Sequence, residues 1–416
     1  MFFFKKKSII NLVSIVIIAC SIFRGFIVLS LNNPNYTNIV YGICTILIIL
    51  LSLYSFFQSF NSLDIEKRYL KILFYNLILY SIYFLIEIIF KHNIDLSIFN
   101  FTFIPYLVFI FIKIEEKYFT YILIFTSIFF SFFTFYDFYI SNLLGNNDLA
   151  IYYQNLLRPT TNEAFSRTGE FIRPGGILGS AHDTGNIFGI LTIFFLCKFI
   201  LLKKYSFFYI LLFFISFFSL LLTQSASNII ACFFVLIFVS GYFLRKYPFK
   251  LFNALLLGIF IISIIFIFIN QYIPFDVLSE ILTIWTNRTS SEGDWEGMVN
   301  GYQFLNINDF FHFFFGHASI TKSNLVNSEV SFIKILFDIG IFGFVYLFSI
   351  ITFPLKFSKQ NYNPEKIYPS YFSIIFCIIS LIHYGSIFRM PNILLLIILN
   401  TLIFQQKMKV NNIKYE

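Results

Sequence analysis

Charge is scarce in this chain. Its 416 residues include 29 Lys or Arg and 21 Asp or Glu, 12% in all, about half the charged fraction of an ordinary soluble domain. That shortage excludes a soluble enzyme and a disordered protein. Cysteine is sparse as well. Cys20, Cys44, Cys197, Cys232 and Cys377 each sit inside an apolar run, with no two at metal-ligand spacing. They read as small hydrophobic fillers, which excludes a disulfide scaffold. HExxH, GxSxG and P-loop motifs are missing, and so is any cluster of Cys and His. Nucleotide-driven chemistry is therefore not expected.

Apolar residues fill the chain instead, 58% of it. They lie in long runs, not in the short alternating segments of a membrane β-barrel. At about 20 residues per spanning helix, the roughly 240 apolar residues provide about twelve spans. The runs are centred near 8–30, 38–60, 69–90, 98–112, 118–140, 186–202, 206–222, 227–244, 251–272, 329–353, 367–388 and 391–405. The expectation is an all-α, polytopic integral membrane protein, with 1–416 forming a single membrane domain. The opening MFFFKKKSII resembles a signal peptide. Its apolar run, however, reaches about Leu31 without a small-residue cleavage site, so it is read as a retained first helix.

The net charge of +8 sorts by membrane side rather than pointing to nucleic acid. With the N-terminus cytoplasmic, the cytoplasmic segments hold Lys5, Lys6, Lys7, Lys67, Arg68, Lys71, Lys113, Lys117, Lys203, Lys204, Arg245, Lys246, Lys250, Lys356, Lys359, Lys366, Lys407, Lys409 and Lys414, 19 residues. The other side holds seven: Lys91, Arg158, Arg167, Arg173, Arg288, Lys322 and Arg389. Basic residues accumulate on the side that is not translocated, so both termini are expected in the cytoplasm. Five of the seven external cations are arginines. Their planar fork suits phosphate better than a lysine point charge does, and topology gives no reason for them.

Two external connections, 141–185 and 273–328, far exceed the others, which run to roughly 4–12 residues. Loops of that length are commonly functional or disordered, and both keep aromatic and aliphatic residues. The second carries the chain's two tryptophans, Trp285 and Trp295, and 277–287 has the apolar spacing of a helix lying at the interface. The first ends in RTGEFIRPGGILGSAHDTGNIFGI (167–190), where Arg167 and Arg173 precede a glycine-rich turn and His182 and Asp183 lie at a helix mouth. Such a turn can bring backbone N–H groups to a phosphate; alternatively it is an irregular loop with solvated arginines. In the second, Arg288 and Trp295 precede Gly316-His317 and then Glu329. Glu329 is either a functional carboxylate or a first-turn charge behind the helix cap Ser328. Asn287-Arg288-Thr289 matches a glycosylation sequon, a motif common by chance. Within the spans, Arg24, Glu87 with Lys91, Lys334 with Asp338, and His383 have ordinary readings as snorkelling, paired or packed groups.

Arg288, Trp295, Gly316-His317 and the stretch ExxFxxxLxDxGxxG (329–343) together resemble the O-antigen polymerase and O-antigen ligase superfamily of polytopic bacterial glycosyltransferases. Arg173-Pro-Gly-Gly through Asn186-Ile-Phe-Gly189 resembles that family's other arginine segment. These matches cover about 80 residues. Glu329 stands where ligases carry a histidine, and Gly316-His317-Ala318 lacks the second glycine of the family turn. Loss of that histidine argues against ligation and fits the polymerase branch better.

The resemblance implies a donor glycan on a polyprenyl pyrophosphate and an acceptor on a second lipid-linked repeat, joined at the outer face of the bacterial cytoplasmic membrane without nucleotide or metal. Arg173 and Arg288 would stabilise the leaving pyrophosphate. Glu329 would position or deprotonate the acceptor, with His317 and His182 as rivals. Arg158, Arg167 and Trp295 complete the expected substrate-binding set. The implied product is O-antigen, capsule or another exopolysaccharide, and the implied partners are the lipid-linked oligosaccharide, the bilayer and a chain-length regulator, with no nucleic acid. The alternatives are an O-antigen ligase, or a flippase-type transporter of lipid-linked sugars. Transporters often carry an internal repeat, and none is evident here.

Overall fold

The computed structural model describes residues 35–60, 104–112, 114–143, 167–168, 171–202, 204–254, 256–258, 310–315, 331–352, 354–355, 364–381 and 391–415, with isolated positions between 22 and 85 and at 148. The elements are α1 (Asn35–Phe60), a 3-10 turn (Ile104–Leu107) running into α2 (Val108–Phe111), α3 (Glu116–Phe138), β1 (Arg167–Thr168), β2 (Phe171–Ile172), α4 (Ala181–Leu201), α5 (Ser206–Leu222), α6 (Ala226–Leu244), α7 (Phe310–Phe315), α8 (Ser331–Thr352), α9 (Pro364–Ser380) and α10 (Asn392–Tyr415). Among the described residues, helix dominates. The exception to the all-α expectation is a two-residue antiparallel ladder in the first long loop, pairing Arg167 with Ile172 and Thr168 with Phe171.

Among the described residues, three helices are long and apolar enough to cross a membrane: Glu116–Asn142, Ala181–Leu201 and Ala226–Leu244. Shorter apolar helices include Ser206–Leu222, Gly340–Thr352 and Asn392–Gln406. The runs near 8–30, 69–90 and 251–272 lie largely outside the described residues, as does most of the 273–328 loop.

α4 is the centre of the bundle. It packs most extensively on α5 and α9, and also meets α6, α3 and α10. Its apolar surface runs all round, and apart from half-buried His182 every residue from Ala181 to Leu201 is buried, as expected of a helix surrounded by others. Gly189 lets α9 approach closely: a Cβ there would collide with the ring of Phe376. The outer helices are the reverse. Phe125 and Phe132 on α3, Phe207 and Leu211 on α5, and Phe234 and Ile237 on α6 are exposed. Between α3 and α5 the contact is made by small hydroxyl residues, Ser127 Oγ with Ser216 Oγ and Ser219 Oγ to Ser131 Oγ, both at 2.8 Å. Outward apolar faces with small polar residues at the helix seams are the inversion that a lipid solvent selects. Cys197, Cys232 and Cys377 are buried free thiols.

Two boundaries differ from the sequence pattern. The run at 186–202 starts five residues late, because Ala181–Asn186 is polar yet helical. Ser180 caps α4 by accepting the Asp183 N–H at 3.4 Å, and beyond it His182 meets Ser225, Thr184 the Gly175 carbonyl and Asn186 Ser380. α3 runs on through a π turn, Tyr139–Leu143, which narrows the first long loop at its start. In α8, Gly340 breaks the helix with φ 66° and ψ −174°, in the left-handed half of the map that glycine tolerates. This is the glycine of the Asp338-x-Gly340 motif.

Candidate functional site

The helix ends sort into two polar poles. At one, Lys198 on α4 lies 3.8 Å from Glu116 on α3, and Gln406 Nε2 donates to Glu116 Oε2 at 3.0 Å. Lys250 Nζ donates to the carbonyls of Phe199, Ile200 and Leu202 at 3.3, 2.9 and 2.8 Å. It thereby satisfies the C-terminal carbonyls of α4 with a cation, where the helix dipole favours one.

The opposite pole gathers the end of α3, the 173–186 segment, the α5–α6 turn, the end of α9 and the start of α10. Its base is Asp137, which is 2% exposed. Oδ2 accepts the backbone N–H of Gly175 at 2.8 Å and of Gly176 at 2.9 Å, and Oδ1 accepts from Ser141 Oγ at 3.0 Å. From the other side Thr184 Oγ1 donates to the Gly175 carbonyl at 2.6 Å. Gly176 has φ +54°, and a Cβ there would lie 2.7 Å from Thr134 Oγ1. The Arg173-Pro174-Gly175-Gly176 turn is thus fixed to both α3 and α4. Arg173 itself is 7% exposed.

Beside this turn lies a hydrogen-bonded network. His182 Nδ1 is 3.0 Å from Ser225 Oγ. Asn228 Nδ2 donates to Ser225 Oγ at 2.9 Å and to the His182 carbonyl at 3.0 Å. Asn186 Nδ2 donates to Ser380 Oγ at 3.1 Å, and Asn392 Nδ2 to the Asp183 carbonyl at 3.3 Å. Three helices, α6, α9 and α10, are tied to α4 at this pole, and the His182 ring is oriented through Nδ1. Such networks hold side chains in one geometry when their members are satisfied.

Of the residues expected from sequence, the structure brings Arg173 and His182 to the same pole. Arg167 joins them through its backbone, since β1 sets it opposite Ile172, the neighbour of Arg173. Arg158, Arg288, Trp295, His317 and Glu329 lie outside the described residues. One expectation is corrected. The amides of Gly175 and Gly176 do not form an open phosphate cradle, because the Asp137 carboxylate already occupies them. Asp137, Thr184, Ser225, Asn228 and Ser380 had no motif to mark them. The available signal for Asp137 was a lone carboxylate at the end of an otherwise apolar run, where ionisable groups are expensive and need a reason.

No protein-family model matches the chain, and no curated protein matches it in sequence.

Proposed function

We propose that this protein is a bacterial glycan polymerase. It joins oligosaccharide repeats carried on polyprenyl pyrophosphate at the outer face of the cytoplasmic membrane, and both its termini lie in the cytoplasm. The observation that supports this best is a buried arginine, Arg173, on a turn held rigidly at one pole of an apolar helix bundle. An arginine fixed in that way offers preorganised charge to a pyrophosphate leaving group at the membrane surface, in a setting that strengthens electrostatics. Lys198 and Lys250 occupy the opposite pole, as an outward-facing site and the bias of basic residues toward the cytoplasm both require.

In this reading Arg173 and Arg288 clamp the donor pyrophosphate as the sugar–phosphate bond breaks. Glu329 orients or deprotonates the acceptor hydroxyl, which attacks in a single displacement. Arg158, Arg167, His182, His317 and Trp295 contact the lipid-linked glycan, and a chain-length regulator acts as partner.

Glycan chain length in cells tests the assignment. Arg288→Lys should retain only part of the activity, since charge survives but the fork does not. Glu329→Gln should leave protein level normal and abolish long chains. A helix-capping role alone would cost about 0.3–1 kcal/mol of stability, so normal chains from Glu329→Gln would remove it from the mechanism. The topology has its own test. A single cysteine at position 204, in the turn before α5, should resist an impermeant thiol reagent added from outside, and its labelling would reverse the orientation.

A further inference from the structure

We infer that Asp137 is a positioning residue for Arg173. The inference deepens the polymerase reading and rests on it for the catalytic consequence, though not for the geometry. Asp137 lies inside a spanning helix and is nearly fully buried, where a carboxylate needs partners to be tolerated. Among the described residues its hydrogen-bond partners are the Gly175 N–H, the Gly176 N–H and the Ser141 hydroxyl. Two of the three are consecutive amides of the turn that begins at Arg173.

The covalent path makes that hold effective. Between the anchored Gly175 nitrogen and the Arg173 Cα stands only Pro174, whose ring fixes φ. A residue preceding proline is itself confined to extended conformations. Fixing Gly175 therefore leaves two soft torsions, the ψ angles of Pro174 and Arg173, between the carboxylate and the arginine Cα. Thr184 holds the Gly175 carbonyl from α4, and Thr134 closes the space beside Gly176. Asp137 is the one member of this clamp that fastens both glycine amides to α3. Its carboxylate does for the turn what a bound anion would otherwise do: it fills the concavity of successive N–H groups.

The test uses the full-length protein in nanodiscs, with amide exchange of the 174–178 segment and chain elongation on lipid-linked repeats measured in parallel. Asp137→Ala should raise exchange at Gly175 and Gly176 by about tenfold or more, as local opening replaces a fixed turn. It should lower turnover by about 10–100-fold, the scale expected for a misplaced catalytic group. Asp137→Asn should recover most of both, because its carbonyl oxygen can accept the two amides while its NH2 donates to Ser141. Asp137→Glu keeps the acceptor but shifts the turn by one methylene. It should keep the fold, melting temperature and amide protection while losing about tenfold in turnover, a split that a purely structural carboxylate would not produce. The inference is overturned by wild-type exchange at Gly175 and Gly176 in Asp137→Ala. It is equally overturned by wild-type turnover in Asp137→Glu when Arg173→Ala is inactive. Failure of the wild-type protein to elongate any chain would sink the polymerase reading alone, and the exchange result would still decide what Asp137 does.

Discussion

Gly189→Ala should remove most of the folded protein from the membrane. A single methyl group seldom has that effect, but here its position coincides with the Phe376 ring. Phe376 is fully buried, and α9 is held to α4 on either side of the contact, by Ser373 Oγ donating to the Ile190 carbonyl at 3.1 Å and by Asn186 Nδ2 donating to Ser380. The ring cannot swing aside without separating the two helices. Overpacking in a tight core costs about 1–3 kcal/mol, and the loss here should reach the top of that range because α4 is the helix on which the others assemble. Small residues at such crossings permit close packing where no hydrophobic force drives helices together. Membrane level and thermal unfolding in detergent measure the effect. Phe376→Leu added to Gly189→Ala should restore much of the loss, since two residues in contact do not contribute independently. Wild-type stability of Gly189→Ala would mean that α4 and α9 are not in this contact.

Arg173→Ala should abolish long glycan chains while leaving the bundle intact. Removing one preorganised donor from a developing anion commonly costs about 10²–10³ in turnover. The cost should be at the upper end, because the Gly175 and Gly176 amides are engaged by Asp137 and cannot substitute. Arg173→Lys keeps the charge without the fork and should recover only part of the activity. The protein level should remain normal in both variants, since Asp137 and Thr184 fasten the backbone of the turn. Turnover on lipid-linked repeats, measured with membrane level, separates the effects. Equal loss of protein and product in Arg173→Ala would assign Arg173 a structural role.

The general architecture was legible in the sequence wherever hydrophobicity alone decides it. The runs at 118–140, 206–222 and 227–244 correspond closely to α3, α5 and α6. The start of α4 was hidden, because His182, Asp183, Thr184 and Asn186 break the apolar pattern. Hydrogen-bond partners of this turn, among them the Gly175 carbonyl, Ser225, Ser380 and Asn392, lie 9 to 209 positions away, which no local window can see. The role of Asp137 was hidden for the same reason: its partners Gly175 and Gly176 lie 38 and 39 residues along the chain. The RPGG turn was recognised as a special backbone, but the anion that fills it is a side chain of the protein itself. Lys250 read only as one more cytoplasmic cation, although it caps the end of α4.

Elongation by the purified protein tests the central claim most directly. The full-length chain in nanodiscs is supplied with a defined polyprenyl-pyrophosphate-linked repeat and no nucleotide, and the lipid-linked products are sized. The polymerase account predicts a ladder of products longer by whole repeats, with release of polyprenyl pyrophosphate, and no ladder from Arg173→Ala. Repeats that stay single while the same protein moves them across a sealed bilayer would contradict it and make the protein a transporter.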